Sequence, residues 1–119
     1  MTADHYHSVG NDAVLAAVPK NCAVYITIDA DGMDPTEAPG VQWPAPGGLL
    51  YRQVAPLLRA IAQRQRVVGM DIVEIAPSFD STNSITSIVA GRLFLNVIGA
   101  SWRPDGAYRR DASYFPVQK

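Results

Sequence analysis

Asp29 and Asp31 stand one residue apart at the end of an apolar, β-branched run, VYITIDADGMDP at 24–35. Such a run reads as a buried strand whose polar end opens into a loop. Side chains alternate along a strand with a period of two, so both carboxylates can project to the same side. Two like charges held that close repel, which calls for a raised pKa on one of them or a bound cation. The cation is the reading adopted. A third acid, Glu74, ends a second apolar run, VVGMDIVEI at 67–75, with Pro77 just beyond. The bland alternative makes Asp29, Asp31, Asp34, Asp71 and Glu74 loop caps and salt-bridge partners.

The elements that must position these acids follow from pattern. Residues 1–10 are polar and without period and read as loosely ordered, although His5 and His7 are spaced as two metal ligands can be. A short helix is expected over 12–18, capped by Asn11 or Asp12 and stopped by Pro19. The first strand spans about 23–29. Residues 36–48, TEAPGVQWPAPGG, form a shaped surface loop, because Pro39, Pro44 and Pro46 prevent regular hydrogen bonding. The spacing predicts an amphipathic helix over 49–64 with Leu50, Val54, Leu57, Leu58 and Ile61 inward, and Pro56 kinking its first turns or delaying the regular helix. The second strand is 67–75. After a loop at 77–83, a helix over 84–100 places Ile85, Ile88, Val89, Leu93 and Val97 on one face, with Gly91 at a close helix-to-sheet contact. Residues 102–119 carry Trp102, Tyr108, Tyr114 and Phe115, an aromatic tail that packs on its own domain or on a neighbouring subunit.

Strand, helix, strand, helix with continuous apolar strands predicts α/β architecture, a parallel sheet flanked by helices in three layers. Both acidic clusters fall at strand C-terminal ends, where open α/β sheets place their ligand sites. The 119 residues suffice for one small domain, read as 1–22, 23–100 and 101–119; the composition is 48% hydrophobic and 18% charged, as in globular chains. A net charge of −1 gives no basic footprint for nucleic acid or an anionic membrane. The lone Cys22 can form no internal disulfide and reads as a packed thiol. No apolar stretch is long enough to span a bilayer and no signal-peptide pattern opens the chain, so a cytoplasmic protein is expected.

Two site readings compete at the motif level. A calcium EF-hand needs glycine at its sixth position and flanking helices, whereas Gly32 comes fourth and a strand precedes it. A phosphohydrolase of the haloacid dehalogenase type fits Asp29-Ala30-Asp31-Gly32, but Met33 replaces its threonine or valine, and Gly69-Met70-Asp71 lies inside a strand.

More of the chain is accounted for by another likeness. TIDADGMDP resembles the ureohydrolase (arginase and agmatinase) motif S-x-D-x-D-x-x-D-P, with Thr27 for serine. APG at 38–40 and PGG at 46–48 match the loop that follows. GMDIVEIAPSFD matches G-x-D-x-x-E-x-x-P-x-x-D, and ITSIVAGRLFLNVIG is similar to the last helix of agmatinase-like members. The likeness runs over about 23–100, the C-terminal half of that family.

The resemblance implies hydrolysis of a small guanidino substrate (agmatine, guanidinobutyrate, arginine or another) to urea and an amine at two Mn2+ ions. Asp29 and Asp31 match a pair of metal-binding aspartates, and Glu74 matches the glutamate that holds the guanidinium; all three are the candidate catalytic residues. A planar cation of that kind suits a carboxylate able to accept two parallel hydrogen bonds. Asp34 and Asp71 would be structural. Trp43 stands where many members carry a small residue or threonine, so the pocket would be narrowed or reshaped. The family's G-G-x-H and D-x-H-x-D motifs, which supply the other metal ligands, are absent from the sequence. The chain is then expected to work only with a missing N-terminal half, as a fragment or a split-enzyme subunit. The alternative is a non-catalytic assembly module that self-associates into a homo-oligomer or binds a full-length homologue.

Overall fold

The computed structural model describes residues 1–102. Its elements in chain order are α1 (Ala3–Ala17), β1 (Ala23–Asp29), α2 (Tyr51–Arg64), β2 (Arg66–Val73) and α3 (Ile85–Ser101), with single 3-10 turns at Ala30–Gly32 and Pro77–Phe79. β1 and β2 pair in parallel through the α2 crossover. Ala23 lies opposite Arg66 and Asp29 opposite Val73, with one irregularity after Val24 that passes over Val68. Both strands therefore finish at the same end of the sheet, and the 29–33 turn and Glu74 emerge side by side.

β1 alternates as a half-buried strand should: Val24, Ile26 and Ile28 point into the core, while Tyr25, Thr27 and Asp29 are exposed. Ile26 joins Val54, Ala55, Leu58 and Ala62 of α2 and Leu93 and Val97 of α3 in one cluster, edged by Met70 and Ile72 of β2. α2 and α3 thus cover a single face. The opposite face carries the exposed side chains of Tyr25 and Thr27, and among the described residues each strand keeps one outer edge without a partner strand. The α/β class stands as expected from sequence; of the three layers, the described residues build two. The run at 23–29 is apolar enough for burial on both faces, and here only one is covered.

Five local expectations are corrected. Residues 1–10 are helical: α1 starts at Ala3 with Thr2 as its cap, whose hydroxyl accepts from His5 N at 3.2 Å. Gly10, at φ +71°, breaks it into two helical pieces, the second of which corresponds to the helix expected over 12–18. Buried Tyr6 and a set of polar bonds to distant residues hold the first piece, so no apolar period marks it. α2 runs through Pro56 without interruption. Ile88 is exposed rather than inward, and a Cβ at Gly91 would meet nothing within 4 Å, so no close contact exists there. β2 ends at Val73, two residues early, because Glu74 takes up a left-handed backbone. The aromatic tail expected beyond Trp102 lies outside the described residues. Cys22 is half-buried, with Sγ 3.1 Å from the Pro19 carbonyl. No helix among the described residues is long and apolar enough to cross a membrane.

Candidate active site

Where β1 stops, Asp29 caps the turn that follows. Its Oδ1 accepts from Asp31 N at 2.9 Å, which fixes the DAD segment as a single 3-10 turn. Asp31 is half-buried, and its Oδ1 is sealed from solvent without a hydrogen-bond partner. An unsatisfied buried acceptor costs about 1–3 kcal/mol, and more when charged, so an oxygen of this kind is a place for a water or an ion to meet it. Among the described residues the other such oxygen is Asp71 Oδ1, set across from Thr27 in the strand register. It differs in having neighbours: the hydroxyl of Thr27 and then that of Tyr25, which donates to Asp71 Oδ2 at 2.8 Å, hold the Asp71 carboxyl below the usual carboxylate range. The same contact, foremost, pushes the Tyr25 phenol up.

Asp34 closes the loop. Its Oδ1 accepts from Thr36 N at 2.9 Å and Thr36 Oγ1 at 2.6 Å, and its Oδ2 accepts from Gly47 N at 3.0 Å. The Thr36 hydroxyl, then the Thr36 and Gly47 amides, lower its pKa. Its own backbone is tied by Asp34 N to Leu49 O and by Leu49 N to Gly32 O, both 2.9 Å, in a bridge of Met33 with Leu49. Gly48 sits against this bridge; a Cβ there would lie 2.5 Å from the Met33 carbonyl carbon. Asp34 and Asp71 are thus both engaged in holding structure.

Glu74 leaves β2 one residue past the partner of Asp29, exposed and at φ +62°. A left-handed backbone costs a glutamate roughly 1–2 kcal/mol, and strain of this kind clusters at functional sites. The segment after it is clamped. Ala76 N donates to Gly40 O at 2.8 Å, and Gly40 N donates to Thr86 Oγ1 at 2.8 Å. Thr86 Oγ1 in turn donates to Asp80 Oδ1 at 2.9 Å, and Asp80 also accepts from the amides of Ser81, Thr86 and Ser87. Burial pushes the Asp80 carboxyl up, but the Thr86 hydroxyl and these amides outweigh it and hold the group below the carboxylate range. No Cβ fits at Gly40, where it would fall 2.6 Å from Asp80 Cβ. Sequence reasoning missed this clamp; its one signal was the last acid of the GMDIVEIAPSFD block.

The structure brings Asp29, Asp31 and Glu74 to one end of the sheet. It does not bring the histidines to them. His7 Nδ1 accepts from Gln53 Nε2 at 3.1 Å and its Nε2 donates to Gly47 O at 3.0 Å, so both ring nitrogens serve to fasten α1 to the loop. Gln53 Oε1 accepts from Leu50 N at 2.9 Å, which sets the orientation of that amide. Among the described residues no three His, Cys, Asp or Glu side chains stand close enough to hold a metal ion. Asp29 and Asp31 by themselves offer at most part of a ligand set for a cation, with one desolvated, unpaired oxygen on Asp31. Trp43 is 76% exposed on the loop.

The comparisons with known proteins agree with this partial site. A profile described as the arginase family matches residues 1–99, which takes in α1 as well as the segment from β1 onward. An N(1)-aminopropylagmatine ureohydrolase of Thermus thermophilus is 39% identical over 100 residues, covering 82% of this chain and 33% of the relative. An agmatinase of Chromobacterium violaceum is 39% identical over 95 residues, covering 77% of this chain and 29% of the relative. Among solved structures, the proclavaminate amidino hydrolase of Streptomyces clavuligerus superposes with a TM-score of 0.75 at 36% identity, covering 85% of this chain and 35% of that one. The arginase of Bacillus caldovelox gives 0.70 at 29% identity, covering 83% and 34%. The chain spans about a third of the length of these relatives. With the strand-end acids, the fold and the match over residues 1–99 in agreement, the chain belongs to the arginase family.

Proposed function

We propose that this chain is the C-terminal portion of an agmatinase-like ureohydrolase, which supplies Asp29 and Asp31 to a pair of manganese ions and Glu74 to the guanidinium of its substrate. Hydrolysis to urea and an amine then requires the two-thirds of the fold that relatives possess and this chain does not match. The observation that carries this reading is the sealed, unpaired Oδ1 of Asp31 at a strand end beside Asp29. Bound manganese would supply Lewis-acid activation of water. The chain's own residues hold and exclude. The Asp29 bond to Asp31 N fixes the turn, and burial of Asp31 Oδ1 keeps competing water from it. Glu74, exposed at the same end, accepts two parallel hydrogen bonds from the guanidinium and orients its plane. Relatives named agmatinase, arginase and proclavaminate amidinohydrolase act on different compounds by their names, so the guanidino class is proposed and not one member of it.

Manganese calorimetry on the wild type and Asp31→Ala, with urea assayed in the same samples, tests the reading. Weak binding abolished by the substitution, without urea, is expected. Binding indifferent to Asp31→Ala would sink the ligand assignment, and urea from the isolated chain would sink the requirement for the rest of the fold. A second reading, an assembly module without catalysis, is favoured by the open strand edges of the described sheet alone. It predicts association with a full-length homologue and no manganese binding at all.

A further inference from the structure

Glu74 is the point where the chain leaving β2 changes course. Met70 and Ile72 pack against the core and Val73 is exposed, so a strand continued by one more residue would put position 74 on the core side. Instead the backbone of Glu74 is left-handed, at φ +62°, and its side chain is exposed. Glycine adopts that conformation without cost and glutamate does not. A strained backbone persists only where its surroundings over-determine it.

Those surroundings are a fixed post in the 36–48 loop, where Ala38, Gly40 and Val41 are buried. Gly40 uses both of its backbone groups. Its carbonyl accepts from Ala76 N, two residues past Glu74, and its amide donates to Thr86 Oγ1, both at 2.8 Å. Thr86 is 2% exposed, on the face of α3 that otherwise buries Ala90, Leu93 and Val97. Packing alone asks for an apolar group at that position. The hydroxyl there is engaged in both its capacities, as acceptor from Gly40 N and as donor to Asp80 Oδ1 at 2.9 Å. Asp80 is held in turn by the amides of Ser81, Thr86 and Ser87, and its charge strengthens each of these bonds.

We infer that Thr86 and Asp80 are positioning residues for Glu74: through Gly40 and Ala76 they hold the left-handed turn that carries its carboxylate out at the end of the sheet. The inference rests on the guanidinium role proposed above for Glu74. It adds that the turn is imposed by folding, before any ligand arrives, so the cost of orienting the carboxylate is not left to the binding step.

The chain has two glutamates, Glu37 and Glu74, so a 13C,15N-glutamate label in the full 119-residue protein gives two sets of NMR signals. A left-handed residue brings its amide proton close to its own Hα. A strong cross-peak between the two is expected at Glu74, and a weak one at Glu37. Thr86→Val keeps the size of the side chain and removes the hydroxyl, so the Glu74 cross-peak should fall several-fold, and Thr86→Ser should restore it. Should Thr86→Val not fold, Glu74→Gly in the otherwise unchanged chain decides: glycine relieves a turn held under strain and raises the thermal midpoint by about 4–8 °C. A cross-peak undiminished in Thr86→Val, or a midpoint that Glu74→Gly leaves unchanged or lowers, would overturn the inference. Neither readout involves metal or substrate. The guanidinium role fails separately, if urea release by the chain complemented with the rest of the fold survives Glu74→Gln.

Discussion

Asp80 gathers the Thr86 hydroxyl and the amides of Ser81, Thr86 and Ser87 around one carboxylate. It caps α3 from a distance, because Ser84, at the cap position, has φ +55° and makes no side-chain cap bond. Asp80→Asn keeps the shape but weakens a charge-assisted cap, and a loss of about 1 kcal/mol is expected in urea denaturation. The pH dependence has a definite sign. Folding depresses the Asp80 pKa, so its contribution is complete above the unfolded value of about 3.9 and is lost as pH falls through the lower folded value. Stability measured from pH 6 downward should therefore decline less steeply in Asp80→Asn than in the wild type; equal slopes would remove Asp80 from the account. Individual acids were legible to different depths. Spacing put Asp29, Asp31 and Glu74 at strand ends, where they are found, but Asp80 gave no such cue. Its partners follow an atypical helix start, and its tie to Gly40 crosses 40 residues of chain.

Helices and strands were legible in proportion to how far apolar burial alone holds them. The β-branched runs and the strong period of α2 mark themselves. The first turns of α1 do not, since Tyr6 is their only buried side chain and the rest of their hold is polar: Tyr6 OH to Asn11, Asn11 Nδ2 to Gln53 O at 3.1 Å, and His7 to Gly47 and Gln53. α3 misled for the opposite reason. With apolar residues on all sides, its period could not tell the face on Leu93 from the face on Ile88. Two glycines separate these situations experimentally. Gly48→Ala forces a Cβ into the Met33 backbone and should cost about 2–3 kcal/mol, because backbone at a strand bridge cannot step aside. Gly91→Ala meets nothing and should gain about 0.5–1 kcal/mol from helix propensity. Thermal denaturation of dilute samples reads both, and a shift of the same sign in the two would contradict the packing described.

At the scale of the molecule, the crossover unit β1–α2–β2 and its α3 cover have a core of their own, with Asp29, Asp31 and Glu74 at one end of its sheet. Supplying the remaining two-thirds of a relative as a separate chain should restore urea release where neither piece has any, and Glu74→Gln should abolish that restored activity. Failure of every such pairing, with both pieces folded, would favour the assembly reading. In the sequence, the short span relative to the family was legible only through the motifs it lacks; in the structure, the described residues build a sheet of two strands. Each strand has an outer edge of backbone donors and acceptors ready for pairing. An open edge is a template for another chain, so the lifetime of the polypeptide after synthesis is halted is expected to lengthen when a chain able to pair with it is co-expressed, and an unchanged lifetime would count against such pairing.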